Sequence, residues 1–477
     1  MRWGVDAEKS FVPSMVRRPR LAAFALALSV ACGARTPLLL PGEGPAGGRE
    51  GTGSAPCGAA LLANAPTPMQ GYCPTRANRA SLSGPRAPQI AWTAVPFAIS
   101  DPEDYLPAQV VVDASGRSYV AVDASPLNTA GGPNRISAID ADGTVVWTQS
   151  LPGAMSDLAL GSDGTLWLME QVGTYGTIVG LATADGSPRA SFEVGTQSDA
   201  AYFTPTTYDS LAIGVDGSFF LGAPETTYLG SGGGGLAHVG TDGTLLWQTP
   251  MGGPDAVNLT SPVTLTQDDH VFGWGGELVE LDAEGDQLWQ ETILGSSYVD
   301  VLAGAVDASG RLVAVGVVDA AGTLALATVD GTGHVVASSP LGATQNNVDV
   351  TEIALAGDGT AVVLLANEVA SPGTTNTQVL LQAIDAGGQT RWSTGLHGTL
   401  PYDPAALQTH YGLFIDAAGT VVVTAGLVTG LDLSSGTVQW TVTPPSTSSC
   451  LRPAVLGAGG SIIATQCDGT VLAARDP

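Results

Sequence analysis

The chain has 477 residues, of which 44 are acidic and 17 basic, giving a formal net charge of −27 at pH 7. Apolar residues make up 44% of the sequence, so the chain can bury a core and is not a disordered polyanion. The acidic balance excludes a nucleic-acid-binding surface, which needs clustered Lys and Arg. The 63 glycines follow no collagen triplet and indicate many turns.

Residues 15–32 have the features of an export signal. A basic segment at residues 17–20 precedes the apolar run Leu21–Ala31. This run is too short to span a membrane, which takes about 20 apolar residues. Met15 begins such a signal better than the first methionine does, so residues 1–31 are predicted to be a signal peptide with its true start at Met15.

The end of this signal, Ser29–Cys32, resembles the lipobox of bacterial lipoproteins, in which the cysteine is acylated after cleavage. The resemblance implies that Cys32 carries the lipid anchor. Gly33 stands where inner-membrane retention favours Asp, which implies the outer membrane, with the protein facing either the periplasm or the cell surface. The alternative is a plain secretory signal followed by an incidental cysteine.

Residues 32–88 are rich in Pro, Gly, Ala, Ser and Thr without a sustained period, so they are predicted to form a flexible tether. Cysteines of an exported protein are expected to pair. Counting outward from the last predicted turn places Cys450 opposite Cys467, which is close enough for a bridge. We therefore predict two disulfides, Cys57 with Cys73 and Cys450 with Cys467.

From residue 89 onward one element recurs: an apolar strand, a tight turn ending in glycine, and a second apolar strand. An eighth copy, VTLTQDDHVFGW, has Asp269 at the glycine position. The other seven copies place their turn glycines at Gly116, Gly164, Gly217, Gly310, Gly359, Gly419 and Gly460.

A second element alternates with the first and in five copies has a tryptophan four residues after a glycine, as in Gly143 and Trp147. Two further copies have Ala190 and Ala337 at the tryptophan position. Each cycle thus offers four short strands, a to d, with Asp/Gly turns between a and b and between c and d. A period of about 40 to 50 residues with four strands per repeat indicates a β-propeller.

The two ends of the chain predict how the ring closes. Residues 453–476 supply strands a, b and c, and the missing fourth strand is found around Trp92. We predict an all-β, eight-bladed propeller of four-stranded blades over residues 89–477, closed by this N-terminal strand. Seven blades is the alternative if the Asp269 copy is not a blade.

The second element is similar to the tryptophan-docking repeat of the quinoprotein (PQQ-like) propeller family, A-x-D-x-x-T-G-x-x-x-W, most clearly at Gly430–Trp440. The chain also resembles the accessory propeller lipoproteins of the outer-membrane barrel-assembly machinery, which implies a non-enzymatic partner-binding scaffold. The resemblance implies docking of one blade on the next through Trp92, Trp147, Trp247, Trp289, Trp392 and Trp440.

The sequence predicts no catalytic residue, metal site or cofactor. Its five histidines lack metal-ligand spacing, and it has no G-x-S-x-G elbow or adjacent cysteines. The long connections, including 194–208, 366–376 and 394–410, fall on one face, where binding usually lies. The candidate binding residues there are Asp199, Tyr202, Tyr208, Asp209, His397, Tyr402, Asp403, His410 and Tyr411.

The predicted function is a monomeric, lipid-anchored, non-catalytic binding or scaffold module at the outer membrane or cell surface. Its partner is expected to be another envelope protein or a glycan, and not nucleic acid. The alternative is a periplasmic enzyme, either quinoprotein-type or glycan-active, working on the long-loop face. Asp403 and His410 would then form an acid/base pair if the fold brings them together.

Overall fold

The protein folds as eight antiparallel sheets arranged as the blades of a propeller, which confirms the predicted all-β, eight-bladed fold. A computed structural model describes residues 61, 65–69, 71–97, 105–124, 134–155, 158–172, 175–194, 210–223, 234–251, 263–274, 278–291, 301–319, 321–344, 348, 350–371, 374–401, 411–445, 451–466 and 468–477. A short 3-10 turn at Ala458–Gly460 interrupts the strands of the last blade.

The strands are numbered in chain order and lettered a to d from the channel outward. The first strand, β1 (Gln89–Ala94), belongs to the last blade. Blade 1 comprises β2 (Tyr105–Val112), β3 (Ser118–Ala124), β4 (Asn134–Ile139) and β5 (Val145–Leu151). Blade 2 has a divided inner strand and comprises β6 (Ala154–Met155), β7 (Ala159–Leu160), β8 (Thr165–Val172), β9 (Tyr175–Ala182) and β10 (Pro188–Val194).

Blades 3 to 5 follow the same plan. Blade 3 comprises β11 (Ser210–Ile213), β12 (Phe219–Ala223), β13 (Gly234–Val239) and β14 (Leu245–Met251). Blade 4 comprises β15 (Thr264–Leu265), β16 (Val271–Trp274), β17 (Leu278–Leu281) and β18 (Gln287–Glu291). Blade 5 comprises β19 (Val301–Val306), β20 (Leu312–Val317), β21 (Thr323–Val329) and β22 (Val335–Thr344).

The last three blades complete the ring. Blade 6 comprises β23 (Val350–Leu355), β24 (Ala361–Ser371), β25 (Thr374–Ile384) and β26 (Thr390–Pro401). Blade 7 comprises β27 (Tyr411–Ile415), β28 (Thr420–Ala425), β29 (Val428–Asp432) and β30 (Val438–Val442). Blade 8 combines β1 with β31 (Val455–Leu456), β32 (Ile462–Thr465) and β33 (Val471–Arg475).

Blade 8 closes the ring with strands from both ends of the repeat region. β1 pairs antiparallel with β33, with Trp92 opposite Ala473, as the sequence predicted. The carboxylate of Asp476 accepts the backbone N–H groups of Arg86 at 3.0 Å and Ala87 at 2.7 Å. These hydrogen bonds hold the residues before β1 beside the residue that follows β33. The third and fourth strands of the closing sheet therefore stay together without a gap.

The a-b turns carry residues in the left-handed conformation that glycine favours. The seven predicted turn glycines have φ between 75° and 88°. Asp269 adopts φ 59° in the eighth turn, a conformation that Asp tolerates better than most residues. Its carboxylate also accepts the backbone N–H of Val215 in blade 3, at 2.9 and 3.0 Å. The copy with Asp269 therefore forms a complete blade, and the Asp269 carboxylate joins it to blade 3.

Adjacent blades dock through an aromatic ring on a glycine of the next c-d turn. The indole N–H groups of four tryptophans donate to carbonyls of that turn at 2.6 to 3.1 Å. A Cβ atom on the facing glycine would lie 2.6 to 2.9 Å from the ring, so no other residue fits there. The four pairs are Trp92 on Gly143, Trp147 on Gly186, Trp247 on Gly285 and Trp392 on Gly436.

The other two tryptophans make different contacts. Trp289 lies against Gly333 of the next blade, but its indole N–H donates to Glu280 of its own blade at 2.5 Å. Trp440 is 8% exposed and packs in the core shared by blades 7 and 8. Strands c and d of blade 8 come from the two ends of the repeat region and are not joined by a c-d turn, so Trp440 meets no such glycine in the described part of the chain.

Where tryptophan is missing, the residue two positions further along the strand takes its place. Phe192 lies against Gly243, and Ser339 donates to the carbonyl of Gly388 at 2.6 Å. Alternate residues of a strand share one face, so these side chains point in the same direction as the missing tryptophans. Docking is thus kept in blades 2 and 5 by a shift along the strand.

The antiparallel order places all a-b and c-d turns at one end of the blades. An added Cβ at Gly116 in an a-b turn would lie 3.2 Å from Ala141 of the c-d turn in the same blade. We call this end of the propeller the turn face. The opposite end, which carries the b-c and d-a connections, is called the loop face.

Candidate functional site

The innermost strand of each blade leaves one backbone edge facing the central channel. Such an edge carries N–H and C=O groups that need partners when they are buried. In this molecule the chain itself supplies those partners. Residues 65–69 and 71–84, which we call the axial segment, lie in the channel and contact the inner strands of all eight blades.

The axial segment accepts hydrogen bonds from one repeating position, the last residue of the inner strand. Six backbone carbonyls and the Tyr72 hydroxyl accept these bonds at 2.7 to 2.9 Å. Seven blades are therefore fixed to one segment through equivalent atoms. The donors are the backbone N–H groups of Val112, Leu160, Leu265, Val306, Leu355, Ile415 and Leu456.

Side chains of the axial segment satisfy carbonyl groups two residues earlier in the inner strands. The Arg76 guanidinium donates to the carbonyls of Val263 at 3.2 Å and Leu211 at 3.4 Å, in blades 4 and 3. The Asn78 side-chain amide donates to the carbonyl of Ile353 in blade 6 at 2.8 Å. Arg76 is only 4% exposed, so its charge lies inside the ring.

Glu352, in the inner strand of blade 6, is an acidic group that interacts electrostatically with Arg76. Burial raises the pKa of Glu352 to about 7, and this effect outweighs the influence of Arg76, which favours the charged carboxylate. The centre of the ring thus contains a buried cation and a carboxyl group that titrates near neutral pH. Arg76 is buried, whereas Glu352 is partly exposed.

Both ends of the axial segment lie on the turn face. Leu61, which precedes the axial segment in the chain, forms an antiparallel bridge with Gly161 in the a-b turn of blade 2. At the other end, the backbone N–H of Gly84 donates to the carboxylate of Asp416, in the a-b turn of blade 7, at 2.6 Å. The chain therefore enters and leaves the channel on the same face, and it fills that end of the channel.

The flexible tether predicted for residues 32–88 is wrong for its described part. Met69, Tyr72, Cys73 and Ala80 are each less than 5% exposed. A segment rich in Pro, Gly and Ala cannot bury enough surface alone, but here eight inner strands supply its partners. The rest of the predicted tether, apart from Leu61, lies outside the described residues, where it remains a prediction.

Neither predicted disulfide lies wholly within the described residues. Cys73 is disulfide-bonded, and its partner lies outside the described part of the chain. In the last hairpin Leu451 pairs with Gln466 in an antiparallel bridge. The next positions outward in that register are the two cysteines predicted to bond, Cys450 and Cys467. The pairings themselves remain predictions.

The predicted binding residues are only partly covered by the structure. His397 lies in β26, where its backbone pairs with Gln378. Tyr411 begins β27 and is 2% exposed in a hydrophobic core, so the prediction that it lines a binding surface is wrong. The remaining seven lie outside the described residues: Asp199, Tyr202, Tyr208, Asp209, Tyr402, Asp403 and His410.

Parts of two predicted loops are instead strands of blade 6. The strands β24, β25 and β26 have 11, 11 and 12 residues, whereas the inner strand β23 has six. Backbone pairing continues from Asn367 opposite Gln378 to Ser371 opposite Thr374. Blade 6 therefore extends beyond its inner strand as a three-stranded projection on the loop face.

A Ser-His pair lies between blades 3 and 4 and was not singled out by the sequence. His238 Nε2 lies 2.7 Å from the Ser218 hydroxyl, and its Nδ1 lies 3.1 Å from the carbonyl oxygen of Ala283 in blade 4. The imidazole stacks on Phe220 with ring centroids 4.0 Å apart. Ser218 is 1% exposed, so no substrate reaches it, and the pair serves blade docking.

A second buried polar group lies in blade 4. Glu280 is 3% exposed, and its carboxylate accepts from Trp289 and lies 2.8 Å from Nδ1 of His270. His270 lies in the a-b turn of blade 4, and its side chain is 35% exposed. The contact fixes the carboxylate beside the docking tryptophan.

The family model described as outer membrane protein assembly factor BamB matches residues 132–379, slightly more than half of the chain. The chain belongs to this family. The match covers the two outer strands of blade 1, blades 2 to 5 and the first half of blade 6. The resemblance to PQQ-like propellers and to the assembly-machinery lipoprotein is thereby confirmed.

Solved structures support the same fold. BamB from Moraxella catarrhalis is 15% identical over 82% of this chain and 100% of its own, with a TM-score of 0.51. A streptogramin B lyase is 12% identical over 80% of this chain and 96% of its own, but its TM-score of 0.39 is too low to support an argument. No curated protein sequence matches the chain significantly.

Two further findings concern only the part of the chain that the structure describes. Within those residues, no three His, Cys, Asp or Glu side chains are grouped so that they could hold a metal ion. The same residues contain no helix that is long and apolar enough to cross a membrane.

Proposed function

We propose that this protein is a non-catalytic binding scaffold that assists the assembly of outer-membrane proteins in the bacterial envelope. Family membership supports this class of function. The observation that carries the proposal is the axial segment, which occupies the turn-face end of the channel with the chain's own residues. A propeller filled in this way offers its partners its outer surfaces.

We further propose that Cys32 is lipidated and anchors the molecule at the outer membrane. The motif at residues 29–32 supports this. Two or more acyl chains give stable anchoring, whereas one gives only marginal binding.

The anchoring proposal predicts that the wild-type chain fractionates with outer membranes and incorporates labelled palmitate in its native cells. The Cys32→Ala variant is expected to lose the label and appear in the soluble envelope fraction. An unlabelled wild-type chain that is soluble after lysis would contradict the anchor, and it would leave the scaffold function to be tested by partner capture.

The enzymatic alternative concerns the loop face. It would be supported by PQQ-dependent dye reduction, or by polysaccharide cleavage that Asp403→Ala abolishes. The scaffold proposal predicts neither activity in the purified full chain. It predicts instead that affinity capture from native membranes retains one envelope protein in a stoichiometric amount.

A further inference from the structure

The outer strands of three neighbouring blades expose aliphatic side chains where a polar residue is expected. Leu246, Leu288 and Val336 each lie three residues after the c-d turn glycine of blades 3, 4 and 5. They are 54%, 47% and 54% exposed. Each lies at a β-bulge, where it has no Cα partner on strand c, directly before the docking position. Solvent-facing positions of a strand normally carry polar residues.

The blades on either side have arginine at the equivalent position. Arg189 in blade 2 donates to the Thr165 hydroxyl at 3.0 Å, and Arg391 in blade 6 pairs with Asp358 at 3.0 Å. The apolar stretch therefore has two polar boundaries. We call it the rim arc, and it comprises Leu245, Leu246, Leu288, Val335 and Val336.

Singly exposed aliphatic residues are normal on a protein surface, whereas contiguous ones mark interaction sites. The preceding strand position adds Leu245 at 40% and Val335 at 39% exposure. Five aliphatic side chains thus lie at the turn-face end of three consecutive outer strands. Blade 1 carries Val145 and Val146 at the same positions with 38% and 39% exposure, so the rim arc is distinguished by greater exposure in three consecutive blades.

The c-d turns beside the rim arc are acidic. Asp242 and Glu284 are exposed in blades 3 and 4, and Asp330 is partly exposed in blade 5. Hydrogen bonds from Thr244 and Thr332 lower the pKa values of Asp242 and Asp330, so both carboxylates stay ionised at neutral pH. A surface that meets this region must combine an apolar centre with positive charge.

We propose that the rim arc is the docking surface for a protein partner whose own contact surface surrounds an apolar patch with Lys or Arg. The proposal rests on the scaffold function and specifies the surface that carries it. Charge complementarity favours a basic protein over an anionic membrane, which the acidic turns would repel. This surface lies on the turn face, whereas the sequence had favoured the loop face.

The test places a photoreactive phenylalanine analogue at Leu246 of the full-length chain in native membranes. Two controls carry it at Val146, the equivalent position of blade 1, and at Thr443, on the loop face. We expect one protein to crosslink from position 246 at least about tenfold more than from the controls, because only position 246 lies within the proposed interface. The linked peptide should contain Lys or Arg, and crosslinking should fall at high salt.

A matched pair of variants tests the apolar contribution. The triple variant Leu246→Ser, Leu288→Ser, Val336→Ser should reduce capture of that partner about tenfold or more. The control variant Val146→Ser, Val438→Ser changes valines that are 39% and 44% exposed in blades 1 and 7 and should leave capture unchanged.

Three outcomes would overturn the rim arc: stronger crosslinking from position 443, crosslinking to lipid, or full capture by the triple variant. Strong crosslinking to a protein from the loop face would keep the scaffold function and move its site. If no position on the molecule yields a protein partner, the scaffold function itself fails.

Discussion

His238 illustrates how single polar residues in this ring serve docking. Its contacts with the Ser218 hydroxyl and the Ala283 carbonyl match a nucleophile and its base in composition, yet both side chains are less than 10% exposed. Buried polar groups must be paired, and each ring nitrogen here has a partner. The imidazole therefore joins blade 3 to the c-d turn of blade 4.

His238 should make stability depend on pH. Burial lowers its pKa, so as the pH falls the unfolded chain binds a proton before the folded chain does. Its stabilisation is complete above about pH 6.5 and is lost as the pH falls through the lower folded value. We expect the stability advantage of wild type over His238→Gln to shrink by about 1 kcal/mol between pH 7.5 and 5.5 in urea denaturation. A constant difference would contradict this.

Glu352 should make stability depend on pH in the opposite direction. Its folded pKa of about 7 lies above its ordinary value, so its protonated form favours the folded ring. That stabilisation is present at low pH and is lost as the pH rises through 7. Relative to wild type, Glu352→Gln should therefore gain about 1 kcal/mol or more between pH 5 and 8.5. The same denaturation series checks this, and an unchanged difference would show that the carboxyl group is solvated.

At the scale of elements, blade docking requires the turn glycines for two separate reasons. Gly285 and Gly310 have φ 86° and 82°, so both lie in the left-handed region. An added Cβ at Gly285 would lie 2.7 Å from Trp247, whereas at Gly310 nothing lies within 4 Å. Substitutions at these two glycines therefore separate the free-energy cost of a left-handed backbone from the cost of displacing the docked indole.

Substituting alanine at these two glycines should give unequal losses of stability. Gly310→Ala should cost about 1 to 2 kcal/mol, the penalty for a left-handed residue. Gly285→Ala should cost about 2 kcal/mol more, because Trp247 must leave its position. Chemical denaturation of both variants measures the difference. Equal losses would contradict docking of the indole on the glycine.

The axial segment should contribute strongly to the stability of the propeller through Arg76. Arg76→Ala removes two hydrogen bonds to inner strands and leaves Glu352 without its cation, which should cost about 3 kcal/mol. Arg475→Ala is the control, since Arg475 is exposed and should change stability by no more than about 0.5 kcal/mol. Hydrogen exchange at Val306 and Leu355 should also rise in the Arg76 variant alone. Unchanged exchange would mean that the segment does not hold the inner strands.

The blades could be predicted because their repeats are local, whereas the axial segment could not. Turn glycines and tryptophans recur at fixed spacing, and even the strand around Trp92 was located by what the last blade lacked. The axial segment has no period, and its partners lie up to 389 residues away, as between Thr67 and Leu456. Phe192 and Ser339 were not predicted to be docking residues because each lies two residues after the position that tryptophan takes in the other blades.

At the scale of the whole molecule, the acidic propeller should be held away from anionic lipid on its anchor. The chain carries a net charge of −27, and salt screens such repulsion over about 10 Å at 0.1 M. On anionic vesicles, we expect fluorescence transfer from a labelled propeller to the lipid to increase at high salt. A propeller that lies flat on these vesicles at low salt would contradict this.

The two faces and the channel have different roles in this account. The turn face carries both ends of the axial segment and the rim arc, while the loop face carries the projection of blade 6. The central claim is that the filled propeller is a scaffold for outer-membrane protein assembly.

The most direct measurement of this claim is the folded, heat-resistant fraction of outer-membrane β-barrel proteins in native cells depleted of the protein. We predict a lower folded fraction, restored by the wild-type chain and equally by Asp403→Ala, but not by the triple variant of the rim arc. A folded fraction that depletion leaves unchanged would contradict the scaffold function.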